Sequence, residues 1–266
     1  ASAANISIAS GRPGGLYHPV AGAICKLVNA DTDGHDITCT VEFGIGSVTN
    51  IQAMRDGEVT LAIAQSDTQR DAVTGTGAFA DAEPYQDLRA VAALFVEQVT
   101  IVARRDRDIV EFGDLRGKRV YLGPEGTGGR ILIDRLIAAE GWSPNDVTDV
   151  PEGSYTAPDL AEALCDGEMD AFVITVGHPS PLAREAESMC DVNLVPVSDD
   201  AAAAVIEAES LYAASTIPAG MYRTLGEDVP GIGLAATLVT TTKLEADVVY
   251  EVTKAFIEAN ERLREA

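Results

Sequence analysis

Basic residues are scarce in this sequence. There are 19 Lys and Arg against 42 Asp and Glu, a formal net charge of −23, and only four of the basic residues are lysines. A surface of that sign repels phosphate backbones, so nucleic acid is disfavoured as a partner. The excess speaks to solubility. It says little about ligand charge, which a local site decides against the global field.

Long apolar runs are lacking too. Charge or glycine interrupts each one well before the roughly 20 residues that a bilayer span requires, so a soluble protein is expected. Paired metal-binding cysteines are also missing. The four cysteines, Cys25, Cys39, Cys165 and Cys190, form no CxxC, and His18, His35 and His178 complete no zinc-ligand spacing with them. No metal site is expected. Catalytic signatures do not occur either: there is no GxSxG, HExxH or GxxxxGK[ST], and Gly11-Arg12-Pro13-Gly14-Gly15-Leu16 does not fit GxGxxG. No spacing ties a serine, a histidine and an aspartate into a triad. Neither an enzyme nor a cofactor is expected.

What remains is an ordinary globular composition of 266 residues, 46% apolar, long enough for one large core or two lobes. Val, Ile and Leu are spread along the whole length, which argues against disorder. The cysteines fall in two close pairs far apart, which suits a local disulfide in each half of an exported protein, Cys25–Cys39 and Cys165–Cys190. The alternative is four buried free thiols. The opening Ala1-Ser2-Ala3-Ala4, directly before a strand, reads as a processed exported chain whose signal peptide is gone.

Strands and helices alternate. Strands are expected at 5–9, 37–42, 61–64, 90–95, 100–104, 119–122, 147–150, 171–175, 192–197 and 233–240. Helices are expected at 17–29, 48–55, 130–140, 158–166 and 246–263, with an alanine-rich helix after 197 and a further helix after Asp67. Ser47 reads as an N-cap. This grammar implies an α/β fold with mostly parallel sheets flanked by helices. Ligands in such folds bind beyond the carboxyl ends of strands, where helix N-termini converge. Five corners qualify: Gly14-Gly15, Gly46-Ser47, Gln65-Ser66-Asp67, Thr127-Gly128-Gly129 and Gly177-His178. Each joins free backbone N–H groups to a short polar side chain, a combination that favours a carboxylate or phosphate. At any single corner the glycines need only serve a tight turn.

At these corners the sequence resembles the TAXI group of TRAP-transporter solute-binding proteins. Ser10-Gly11-Arg12-Pro13-Gly14-Gly15-Leu16-Tyr17-His18-Pro19 resembles its opening motif, and Gly46-Ser47-Val48-Thr49-Asn50 with Gln65-Ser66-Asp67 its second. Asp114-Leu115-Arg116-Gly117-Lys118-Arg119-Val120, Gly177-His178-Pro179, Ile217-Pro218-Ala219-Gly220-Met221-Tyr222 and Val249-Tyr250-Glu251 follow in the same order. The resemblance covers essentially the whole chain. The chain departs from it at His18, where the family often has a second tyrosine, at Thr127 in place of a serine, and at Arg130.

The resemblance implies a periplasmic receptor of the two-lobed type II binding-protein fold, with delivery to the membrane subunits of a TRAP permease. Lobe 1 is expected over 1–97 and 231–266, and lobe 2 over 98–230. The expected ligand is a small organic anion in an interlobe cleft: a glutamate-like amino acid, or a dicarboxylate such as 2-oxoglutarate. Ser47, Thr127 and Gly128 are the expected anion contacts. Tyr17 packs on the ligand, Asp67 meets an amino group or merely caps its helix, and Arg130 and His18 supply cations. Gly15, Asn50, Gln65, Thr175, Gly177 and His178 complete the expected site. A monomer is expected. The other reading is an extracytoplasmic ligand-sensing module of the same fold.

Overall fold

The computed structural model describes residues 4–12, 14–30, 34–125, 127–143, 146–150, 157–197 and 200–265. The opening residues Ala1–Ala3, and Pro13 and Gly126 of the two glycine turns, lie outside the described residues. The chain forms two compact units. Unit 1 comprises residues 1–12, 16–95 and 236–266, and unit 2 comprises 13–15 and 96–235.

Unit 1 contains β1 (Ala4–Ala9), α1 (Tyr17–Ala30), β2 (Ile37–Glu42), α2 (Ser47–Arg55), β3 (Leu61–Gln65) and α3 (Ser66–Thr74). It also holds the start of β4 (Leu88–Arg104), the end of β10 (Val229–Thr241) and α8 (Ala246–Glu265). The strand order is β2-β1-β3-β10, parallel except for β10, which runs antiparallel to β3. All five residues of β3 are buried, as in a central strand covered on both faces. Its period of two sorts them. Leu61 and Ile63 pack with Ile24 of α1 and Val252 of α8, whereas Ala62 and Ala64 pack with Ile51 of α2 and Ala72 of α3.

Unit 2 holds the rest of β4, then β5 (Arg119–Tyr121), α4 (Gly128–Ala139), β6 (Thr148–Asp149), α5 (Ala157–Asp166) and β7 (Ala171–Val176). It continues through α6 (Pro181–Met189), β8 (Val192–Val195), α7 (Asp200–Ala208) and β9 (Ala213–Ile217) into β10. The order here is β4-β7-β5-β6, with β8 also on β4 and β9 on β10. The same alternation builds two cores. Ile101 and Val173 face Leu132 of α4 and Val205 of α7, and Val102 and Phe172 face Leu164 of α5 and Leu182 of α6.

The two disulfides join the expected pairs. Cys25–Cys39 ties α1 to β2 with Cα atoms 4.9 Å apart, and Cys165–Cys190 ties α5 to the end of α6 at 5.6 Å. Three expectations need correction. The strands at 90–95 and 100–104 are one 17-residue strand, β4, because Val96-Glu97-Gln98-Val99 contains no breaker. Ser47 is the first helical residue of α2 and Gly46 its N-cap, without a side-chain capping bond. The helix after the second glycine turn begins at Gly128, two residues early, because Thr127 caps it. Helix α6 and strand β9 are elements that the sequence reading does not contain.

Candidate functional site

In unit 1 the strand ends bring three expected residues together. Ser47 is buried, and its Oγ accepts the Gln65 backbone N–H at 3.0 Å while lying 3.4 Å from the Tyr17 hydroxyl. The Tyr17 ring meets Phe95 edge-on at 6.3 Å. Asn50, one turn along α2, is a brace. Its Nδ2 donates to Ser10 O at 2.6 Å and to Ile63 O at 2.8 Å, fastening the residue after β1 to the middle of β3. A Cβ at Gly44 would stand only 1.9 Å from Asn50 Oδ1, so glycine there is what lets the brace close.

Asp67 is fully buried in the first turn of α3. Its carboxylate accepts the Thr68 N–H at 2.5 Å and the Thr68 hydroxyl at 3.1 Å, at a helix end whose dipole favours an anion. His18 is half-buried, stacked on Phe43 at 4.7 Å, with Nδ1 3.1 Å from Ser10 Oγ. Gly15 is half-buried in the turn that leads into α1.

Unit 2 has a matching corner. The Thr127 hydroxyl donates to Pro124 O at 2.8 Å and accepts the Arg130 N–H, capping α4, with Gly128 buried beside it. Thr175, at the end of β7, donates to Gly129 O at 3.3 Å. Thr127, Gly128 and Thr175 therefore converge. Arg130 is engaged inside the unit: Nε meets Asp134 at 2.7 Å, and one terminal nitrogen meets Asp149 at 2.9 Å and Gly123 O at 3.1 Å. Burial opposes its charge, but the bonds and charges of Asp134 and Asp149 outweigh it and hold the guanidinium pKa above its ordinary value. A ligand carboxylate that pairs with Arg130 therefore shares the guanidinium with those aspartates.

Gly177 and His178 follow β7, and the His178–Pro179 peptide is cis. His178 Nδ1 lies 2.6 Å from the Tyr222 hydroxyl, and Nε2 lies 2.8 Å from Thr100 Oγ1. The Tyr222 oxygen accepts Ser180 N–H at 2.6 Å, and the Thr100 hydroxyl donates to Gln98 O at 3.0 Å. One arrangement of hydrogens satisfies every link: Tyr222 donates to Nδ1, and Nε2–H donates to Thr100. That requires a neutral ring. Burial agrees, pushing the His178 pKa down to about 4 and the Tyr222 hydroxyl pKa up. Thr100 and Tyr222 are hydrogen-bond partners of His178 that sequence reasoning misses. Tyr222 closes a motif named above, but no spacing rule links it to His178, 44 residues away.

Comparison with known proteins extends these observations. The family model described as the NMT1-like family matches residues 8–266. A Listeria monocytogenes protein described as an L-cystine ABC transporter has a similar fold, with TM-score 0.55 and 12% identity, over 96% of this chain and 89% of that one. An ancestral arginine-binding protein bound to arginine matches at TM-score 0.56 and 15% identity, over 97% of this chain and 92% of that one. The effector-binding domain of QuiR in complex with shikimate matches at 0.57 and 13%, over 96% and 95%. At these identities the likeness establishes architecture alone. The architecture is the type II binding-protein fold.

Proposed function

The chain belongs to the NMT1-like family, and from that premise we propose that it is an extracytoplasmic receptor for a small carboxylate. It captures a glutamate-like amino acid, or a dicarboxylate such as 2-oxoglutarate, and delivers it as a monomer to a TRAP permease. The two units of the chain are its two lobes. The observation that carries this reading is a repetition. In each unit a strand of the sheet leads to a helix with a hydroxyl at its start, Ser47 as the first residue of α2 and Thr127 as the cap of α4. Helix N-termini of this kind attract a carboxylate through unpaired N–H groups and the helix dipole. Ser47, Tyr17 and Gln65 form one set of ligand contacts, and Thr127, Gly128, Thr175, Gly177 and His178 the other. Gly15, His18, Asn50 and Asp67 border the first set. Two disulfides support an oxidising location such as the periplasm.

The test is mass spectrometry of ligand released from purified protein, backed by a thermal-shift screen of amino acids and dicarboxylates. A ligand at 100 times its dissociation constant stabilises the folded state by about 2.7 kcal/mol, a shift that is easily read. No shift with any carboxylate would defeat the reading. Arg130 decides between ligand classes. If a second carboxylate displaces Asp134 or Asp149, Arg130→Ala weakens binding about tenfold or more by calorimetry. Unchanged affinity removes the dicarboxylate. A sensing module is the second reading, favoured by the likeness to an effector-binding domain. Ligand-dependent pull-down of a permease subunit separates the two.

A further inference from the structure

Unit 2 contains a pocket of about 600 Å³ over three of its strands. The floor is Val96 and Gln98 of β4, Gly233 and Ala235 of β10, and Ala213 and Ser215 of β9. These share one face. Gly233 pairs with Ala213 and Gly231 with Ser215, while a Cβ at Gly233 would meet Val96 Cγ1 at 3.0 Å. The floor is low because its residues are small. At Gly233 it cannot be otherwise, since that Cβ would also stand 2.6 Å from Glu97 O. Leu211, Pro218, Met221 and His178 rise around it.

We propose that this pocket binds an uncharged, largely apolar small molecule. Its size falls within the roughly 300–1,000 Å³ typical of ligand sites. Among the described residues its lining holds no aspartate, glutamate, lysine or arginine, in a chain whose formal net charge is −23. An anion seated there would find no cation in the lining, and a cation no carboxylate. Both ring nitrogens of His178 are engaged with Tyr222 and Thr100, so the imidazole presents neutral carbon to the pocket.

The hydrogen-bonding capacity that remains is small and neutral. Ser215 Oγ is buried with no hydrogen-bond partner among the described residues. Pro230 faces Thr216 and has no N–H, so the Thr216 and Ala214 positions are the unbonded pairs of the β9–β10 ladder. Their backbone N–H and C=O groups therefore point to the open edge of β9. A ligand with an apolar body and one or two neutral polar groups matches this set. Of the residues assigned to the carboxylate, only His178 lines the pocket, so this site stands apart from that reading.

The test uses two probes with one aromatic skeleton, N-phenyl-1-naphthylamine, which is neutral, and 8-anilinonaphthalene-1-sulfonate, which is an anion. The neutral probe should bind saturably at one site and the sulfonate at least about tenfold more weakly, because the lining offers its charge no counter-charge in place of lost water. Filling the floor with Ala213→Phe or Ala235→Leu should each weaken the neutral probe by about tenfold or more, with circular dichroism confirming folding. Glutamate and 2-oxoglutarate should not displace it. Equal binding of both probes, wild-type affinity in either folded variant, or displacement by those carboxylates would overturn the proposal. A failed carboxylate screen would leave it standing.

Discussion

His178 shows how much one side chain can reveal about its surroundings. Its ring closes a run of bonds from Ser180 through Tyr222 and Thr100 to Gln98, and the phenol hydrogen finds its acceptor at Nδ1 while the ring is neutral. The sign of the pH effect follows. In the unfolded chain it titrates near 6.5, and in the folded chain near about 4, so between these values only the unfolded chain gains the proton. Stability should be constant above about pH 6.5 for this group and fall as pH drops towards 4. Melting curves over that range, compared with His178→Gln, check it: the variant should lose part of the slope, and an identical slope would refute the assignment. Histidine resonances should show a neutral ring at pH 5.5. The places of Ser47 and Thr127 at helix starts are legible in the sequence because each is a short hydroxyl residue beside glycine after a strand. Arg130 is not. Its partner Asp149 lies 19 residues away on another element, and only the packed unit decides whether the guanidinium serves the protein or a ligand.

Helices and strands were legible where their period was strong, as in α1, β2 and α8. Helix α6 was hidden by its composition, although Ser180 caps it and Pro181 opens it, a pairing that favours a helix start. Strand β9 was hidden because Ala-Ala-Ser-Thr lacks the branched alternation that marks a strand, and it is held by its register on β10. Fastenings between elements carry two predictions. Asn50→Ala removes both donors that hold Ser10 O and Ile63 O, and should destabilise the protein by about 3 kcal/mol in urea unfolding, since two buried carbonyls lose their partners. Replacing Cys25 and Cys39 by alanine should lower stability by about 3 kcal/mol, and the Cys165–Cys190 pair by slightly more, because it closes a longer loop. A melting temperature unaffected by reductant would contradict both disulfide figures.

Taken whole, the chain carries its net charge of −23 on a composition otherwise typical of a folded protein. Like charges repel through a screening length of about 30 Å at 0.01 M salt but only about 8 Å at 0.15 M. The melting temperature should therefore rise by several degrees between those conditions in scanning calorimetry. A flat or falling trend would mean that local ion pairs, not the global field, dominate. The α/β class was legible from alternation alone. The antiparallel course of β10 was not, because it depends on where the chain returns. That return has a consequence for how the protein is made. β10 is the neighbour that completes β3, and Thr237 reaches Ala64 across 173 residues of sequence. At a synthesis rate of about 5–20 residues per second, the edge of β3 waits roughly 10–35 s for its partner. Throughout that interval Leu61 and Ile63 sit on a strand that has β1 on one side and an open edge on the other, the kind of edge that recruits other chains. The first sheet to emerge is among the last to close, and the nascent chain needs a holding partner, or a delay in collapse, until its C-terminal segment arrives.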